Sequence, residues 1–449
     1  MTTSLRGAER VAVLGYGVEG ASVVRALRRW GHAGAITVLD DGPRPDALDA
    51  EVSWARAEDA TLDGVDLLVR SPGIKPSHPA WQRCAERGVP FTTATNLYVS
   101  RARAAGLPVI GVTGSKGKST TSSLIYQGLQ AAGRDAELVG NIGRAALDAL
   151  DGALARGAIT VFEMSSYQCS TLDEGPSLAV ITNLFPEHLD WHGGVETYYR
   201  DKTRIARVQR EGDVTVWNGA NAPLLARAPL GPARHVAFNV DGGWRFADGV
   251  FHDARGPRFT DEGMCLRGRH NRENLCAVLT ALDELGVDAD AVREDLFAFA
   301  GLPHRLEDFG VRGGVRWVND SISTAPEAAV AALDAFRGEV ATLIAGGFDR
   351  GYDFAPLAEA IAAQGVLSVA VIPPSGLRLA ALLEGVGCAV HVAADLDDAV
   401  RWIAPRTPAG RTCVFSPGSP SYGRYRDFIE RGEHLRRLVA GQGGIDSQR

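Results

Sequence analysis

Two lysines draw attention by type and spacing. Val109–Thr113 reads as a buried strand, followed by Gly114, Ser115, Lys116, Gly117, Lys118, Ser119 and Thr120 and then a helical pattern. Strand, glycine loop, Lys-Ser and helix form the arrangement of a P-loop. Its backbone N–H groups would cradle phosphates, Lys118 would reach the β- and γ-phosphates, and the Ser119 hydroxyl would coordinate Mg²⁺. The first glycine of the usual pattern is Val112 here, and Lys116 reads as an auxiliary phosphate contact. The other lysine is Lys202, in YYRDKTRI. Of 47 basic residues only Lys75, Lys116, Lys118 and Lys202 are lysines. A lysine kept among so many arginines suggests chemistry that needs a primary amine, because a guanidinium stays protonated. The plainer alternative is a solvated helix face.

Glu163 closes the strand-like run ITVFE, and His188 follows another in TNLFPEHLDWH. Strand ends are where P-loop sheets gather metal and phosphate ligands, so Ser119, Glu163 and His188 are candidate magnesium ligands. Read alone, Glu163 could equally be a helix N-terminal charge, and His188, Asp190 and His192 polar loop residues. Nearer the N-terminus, Gly15-Tyr16-Gly17-Val18-Glu19-Gly20 is a GxGxxG opening a helix, and Asp40 ends the next strand twenty residues on. That spacing suits a dinucleotide. Glycines that let backbone approach a pyrophosphate would hold a nucleotide-sugar equally well, and Glu19 would repel an anion unless it pointed away.

The elements that must position these groups follow a βαβ rhythm from end to end. Strands are predicted at Val11–Gly15, Ile36–Asp40, Leu67–Val69, Val109–Thr113, Ile159–Met164, Leu178–Leu184, Val214–Asn218, Thr342–Ala345, Val369–Pro373 and Thr412–Ser416. Most are continuously apolar, as strands of a covered parallel sheet are. At about 150 residues per domain, 449 residues suggest three α/β units, with linkers near Arg101–Pro108 and Gly301–His304 and a frayed tail at 441–449. Apolar residues are 45% and charged residues 22%, which excludes disorder, and the net charge of −7 excludes a whole-chain basic field for nucleic acid or acidic lipid. Six cysteines without a CxxC indicate neither a zinc site nor a disulfide framework. With no apolar leader and no 18-residue apolar run, a cytoplasmic protein is expected.

Taken together, TGSKGKST, NIG at Asn141–Gly143, FEMSS, TNLFPEHLDWH, YRDKTRI, GRHNRENLCA, GLPHR, NDS, AGGFDRG and SPGSPS…FIERG, in order between Gly15 and Gly432, resemble the Mur ligase family of peptidoglycan synthesis. The resemblance implies an α/β fold of three domains. Residues 1–105 would be Rossmann-like and hold a UDP-sugar, 106–300 would be a P-loop ATPase-like parallel sheet, and 301–449 would be Rossmann-like and hold an amino acid. It implies an ATP-dependent ligation of glutamate to UDP-N-acetylmuramoyl-L-alanine through an acyl phosphate, by a monomer with no nucleic-acid or membrane partner. The GxGxxG then becomes a UDP-sugar site, Gly15 to Glu19 with Asp40, Ser71, Pro72, Gly73 and Asn141. By the same resemblance Gly114 to Thr120, Asn274, Arg305 and Asp320 face ATP, and Thr324, Arg350, Ser421 and Phe428 surround the glutamate. Lys202 corresponds to a lysine that CO2 converts to a carbamate beside a metal, joining Ser119, Glu163 and His188. Lys118, Lys202, His188 and Arg305 would carry catalysis, with His188 or Asp320 as base. NDSIST puts Ile322 where the D-glutamate-adding enzymes have a lysine, and Arg350 also replaces one; L-glutamate is therefore the expected substrate, with D-glutamate the alternative and a folylpolyglutamate-type ligase or an NAD-dependent oxidoreductase the more distant ones.

Overall fold

A computed structural model describes Leu5 and residues 7–46 and 48–441; the expected frayed tail lies, apart from its first residue, outside the described residues. The first sheet holds β1 (Arg10–Leu14), β2 (Ala35–Leu39), β3 (Val52–Ala55), β4 (Leu67–Arg70) and β5 (Phe91–Thr92), all parallel, in the order β3-β2-β1-β4-β5. The second holds β6 (Val109–Thr113), β7 (Ala136–Gly140), β8 (Ile159–Glu163), β9 (Leu178–Ile181), β10 (Val214–Asn218) and β11 (Arg234–Phe238), also parallel, in the order β11-β10-β9-β6-β8-β7. A three-stranded antiparallel sheet, β12 (Arg245–Ala247), β13 (Val250–Asp253) and β14 (Gly256–Thr260), follows. The last sheet holds β15 (Glu307–Arg312), β16 (Val315–Asn319), β17 (Val340–Gly346), β18 (Ser368–Ile372), β19 (Ala389–Val392) and β20 (Thr412–Phe415), in the order β15-β16-β20-β17-β18-β19, with only β15 antiparallel to its neighbour.

The three expected α/β units are thus present as three largely parallel sheets, but they make two compact units. One runs to Met264 and resumes over Arg269–Phe299; the other holds Cys265–Gly268 and the chain from Ala300. The first two sheets share one core, in which Val11, Val13 and Leu27 belong to the same buried cluster as Leu147, Phe162 and Ile181. Helix Ala94–Ala104 contributes Tyr98, whose hydroxyl bonds Thr160 at 2.7 Å and whose ring meets Phe162 edge-on at 5.4 Å. The predicted strand Leu178–Leu184 ends at Ile181, because the chain leaves the sheet there to carry Asn183 under the phosphate loop. Among the described residues no helix is long and apolar enough to cross a membrane.

Candidate active site

The loop leaving β1 is shaped by its neighbours. A Cβ on Gly20 would lie 2.0 Å from the Gly15 carbonyl oxygen, so the third glycine of the motif is demanded by the close approach of helix Val18–Arg29 to the turn. Ser71 Oγ donates to the same carbonyl at 2.8 Å. Asp40, at the end of β2, accepts the Tyr16 N–H at 2.6 Å on one oxygen and the Gly42 N–H at 2.8 Å on the other. Asp40 therefore buttresses the glycine turn. Glu19 neither points away into solvent nor stands fully charged at the turn. It accepts from Gln168 Nε2 at 2.7 Å, and burial pushes its carboxyl up to about 7.

The phosphate loop follows β6. Gly117 caps helix Lys118–Ala131 with φ +84°, and a Cβ there would lie 2.3 Å from Asn274 Oδ1, which places Asn274 against the loop. Lys118 Nζ donates to the Gly114 and Ser115 carbonyls at 2.9 and 3.0 Å. Lys202 Nζ donates to the Gly114 carbonyl at 2.8 Å. Ser115 Oγ is 2.8 Å from the Tyr198 hydroxyl, and Ser119 and Thr120 are buried at the start of the helix. Lys116 turns aside to pair with Glu187 at 2.5 Å, and Lys75 pairs with Asp190 at 3.0 Å.

Lys202 sits two turns into helix Val195–Arg207 on the face that also buries Tyr198, Ile205 and Ala206. It is 2% exposed, so the plainer reading as a solvated face is excluded. Burial, reinforced by the Lys118 charge, brings its ammonium down to about 7, which leaves much of the amine unprotonated at neutral pH. Glu163 is buried at the end of β8, beside β6. His188 has a left-handed φ of 54° and is exposed at the start of the short helix Leu189–His192. Desolvation, with Lys202 and Lys118 nearby, holds its imidazole below the ordinary value against the pull of Glu187.

One cleft of about 590 Å³ gathers these parts. Gly15 to Glu19, Asp40, Ser71, Pro72, Gly73 and Asn141 line it together with Lys118, His188 and Lys202. Sequence reasoning missed five further lining residues, Ile74, Ser165, Ser166, Tyr167 and Glu187. FEMSS and PEH contain three of them, Ser165, Ser166 and Glu187, without signalling which side chains would turn inward. Among the described residues no three His, Cys, Asp or Glu side chains form a ready metal site. The Ser119 hydroxyl, the Glu163 carboxylate and the His188 imidazole are donors that would suit a hard cation whose shell phosphate oxygens complete.

The second unit holds the remaining candidates. Asp320, following β16, accepts from Ser416 Oγ at 2.7 Å and from the Leu306 N–H at 3.2 Å. Burial pushes its carboxyl up to about 7 although Arg305 stands near. The Arg305 Nε is buried without a partner among the described residues. Ser421 is buried, Thr324 and Arg350 are exposed and Phe428 is half-buried. The Arg350 guanidinium lies over the Tyr422 ring at 5.4 Å, a cation–π contact. Sequence reasoning missed Arg431, a buried arginine that donates to the Ser321 and Ser419 carbonyls at 2.7 and 3.0 Å and so ties the loop after β16 to the loop after β20.

Comparison with known proteins agrees with this geometry. Residues 9–93 match the Mur ligase MurD-like N-terminal domain and residues 112–282 the Mur ligase middle domain. A protein of Salinispora tropica named UDP-N-acetylmuramoyl-L-alanine--L-glutamate ligase is 40% identical, covering 98% of this chain and 99% of its own. One of the same name from Xanthomonas euvesicatoria is 38% identical over 96% and 94%. Among solved structures, UDP-N-acetylmuramate-alanine ligase from Thermotoga maritima superposes with a TM-score of 0.61 at 16% identity, covering 96% of this chain and 99% of its own. The MurF ligase of the same organism, in complex with ADP, gives 0.59 at 18% over 98% and 97%. A glycine turn, a phosphate loop and a buried lysine facing one cleft, on a chain alike to these relatives along nearly its whole length, place the protein in the Mur ligase family.

Proposed function

We propose that the chain is an ATP-dependent amide ligase that joins L-glutamate to UDP-N-acetylmuramoyl-L-alanine, releasing ADP and phosphate. The observation that carries this reading is that Lys118 and Lys202 converge on the Gly114 carbonyl, at 2.9 and 2.8 Å, within a cleft whose other wall is the β1 glycine turn. A nucleotide-sugar on the turn thereby brings its acyl end toward the phosphate loop. We read residues 1–105 as holding the UDP-sugar, 106–300 as holding ATP and 301–449 as holding glutamate.

A carboxylate is a poor electrophile, so the γ-phosphoryl group is first transferred to the alanyl carboxylate. The resulting acyl phosphate has a good leaving group, and the glutamate amine attacks its carbonyl carbon; the C–N bond forms as the C–O bond to phosphate breaks. Lys118 neutralises charge on the transferring phosphoryl oxygens, and Arg305 supplies a second cation. Magnesium, when bound, draws charge from those oxygens, with Ser119, Glu163 and His188 as its protein ligands. Lys202, with much of its amine neutral, adds CO2 with loss of a proton to become an anion beside the cation; an arginine could not. Asp320 and His188 are the groups able to take the proton from the attacking ammonium. Arg350 offers a fork for one glutamate carboxylate, with Thr324, Ser421 and Phe428 around it. Incubation with UDP-N-acetylmuramoyl-L-alanine, ATP and glutamate tests the reading: the dipeptidyl product and stoichiometric phosphate are expected, and their absence overturns it.

A further inference from the structure

Three segments carry the side chains assigned above to the cation. Glu163 ends β8, His188 precedes the short helix Leu189–His192, and Lys202 lies on helix Val195–Arg207. Each segment also contributes one member of a second, hydrogen-bonded chain. Ser166 comes three residues after Glu163, His192 four after His188, and Asp201 immediately before Lys202. Asp201 Oδ2 lies 2.8 Å from His192 Nδ1, and His192 Nε2 lies 3.0 Å from Ser166 Oγ. The carboxylate can only accept, so Nδ1 carries the ring proton, and in the neutral ring Nε2 accepts from the Ser166 hydroxyl. The His192 side chain is fully buried, stacked on Tyr167 at 5.6 Å and met edge-on by Tyr198 at 5.2 Å.

These residue types also make acyl-transfer triads, but Ser166 is 2% exposed and offers no open nucleophile. What the geometry does provide is a rigid cross-link. The His192–Ser166 bond is buried and the Asp201–His192 bond part-buried, so breaking either strands a polar atom of the buried ring, and the three segments are held in the one arrangement that satisfies both bonds.

We propose that Asp201, His192 and Ser166 form a positioning clamp, which sets the spacing of Glu163, His188 and Lys202 and thereby the affinity of the site for a divalent cation. The proposal rests on the ligand reading given above. Outer groups that orient ligands typically govern affinity by about 10- to 100-fold. His192 and Asp201 are positioning residues, since neither is assigned to substrate or cation.

The test is Mn²⁺ titration of the full-length protein with a non-hydrolysable ATP analogue, free Mn²⁺ being read from its electron paramagnetic resonance signal and Tm measured in parallel. His192→Phe, which keeps the ring but loses both hydrogen bonds, and Asp201→Ala should each weaken Mn²⁺ binding by about 10-fold or more. Asp201→Asn keeps an oxygen to accept from Nδ1 and should bind within about twofold of the parent. Ser166→Ala, the mildest change, should weaken binding several-fold and keeps the test valid if His192→Phe fails to fold. Glu163→Gln separates the two readings. If it loses Mn²⁺ while His192→Phe, Asp201→Ala and Ser166→Ala bind as the parent does, the clamp is overturned and the ligand assignment stands. If Glu163→Gln binds like the parent, the ligand assignment falls and the clamp with it. An Asp201→Asn variant as weak as Asp201→Ala would also overturn the clamp, because charge and not the hydrogen bond would then govern affinity.

Discussion

Lys202 shows how one side chain can carry both burial and chemistry. Its helix presents it inward beside Tyr198 and Ile205, and its amine ends on the Gly114 carbonyl at 2.8 Å. Lys202→Arg should lower kcat by at least about 10²-fold, since a protonated guanidinium cannot take up CO2, and short carboxylic acids should restore part of it by filling the anion position; steady-state phosphate release reads both. Lys118→Ala removes a cation whose Nζ donates to the Gly114 and Ser115 carbonyls of the phosphate loop. It should cost about 10²- to 10³-fold in kcat with Tm almost unchanged, which activity and calorimetry together would check. Asp320 gives a pH signature. Its folded value of about 7 lies above the 3.8 of an unperturbed carboxyl. The folded chain therefore keeps a proton that the unfolded chain releases, and this contribution to stability is full below about 4 and lost as pH rises through about 7. Asp320→Asn mimics the protonated form and should flatten the fall in unfolding free energy between those limits, as urea titrations at several pH values would show.

Among elements, ten strands escaped the sequence reading and six of them share a position; the others are β16 and the antiparallel β12, β13 and β14. β3, β5, β7, β11, β15 and β19 are the six edge strands of the three large sheets. An edge strand is covered on fewer sides, so its sequence need not be a continuous apolar run; AELVG in β7 and AVHV in β19 mix polar with apolar residues where the central LAVI of β9 does not. β16 was also missed, its run broken by Arg316, whose guanidinium pairs with Glu339 at 3.0 Å. Helices are set by close approaches that spacing signals without explaining. Gly20→Ala would gain about 1 kcal/mol of helix propensity, but its Cβ would meet the Gly15 carbonyl at 2.0 Å, and backbone yields less readily than a side chain. A net loss of roughly 1–3 kcal/mol and weaker UDP binding are expected, read by urea denaturation and calorimetry.

For the whole molecule, two predictions separate this ligase from its alternatives. UDP should bind and NADH should not, because on the proposed reading the β1 glycine turn faces a nucleotide-sugar; calorimetry on the full chain decides it. L-glutamate should exceed D-glutamate in kcat/KM by at least about 10²-fold, measured by phosphate release with each enantiomer, since inverting the α-carbon moves a carboxylate away from its cation. The sequence by itself determined the central strands, the GxGxxG, the phosphate loop and the family, because each is written in contiguous residues whose spacing expresses a local backbone need. Tertiary structure alone decided that the first two sheets share a core. It also decided that Glu19 meets Gln168 across 149 positions and that Lys202 reaches Gly114 across 88. The joining of Ser166, His192 and Asp201 into one buried chain belongs to the same class. Such contacts depend on which strand lies beside which, and a side chain's partner across a sheet leaves no periodicity in the chain that carries it.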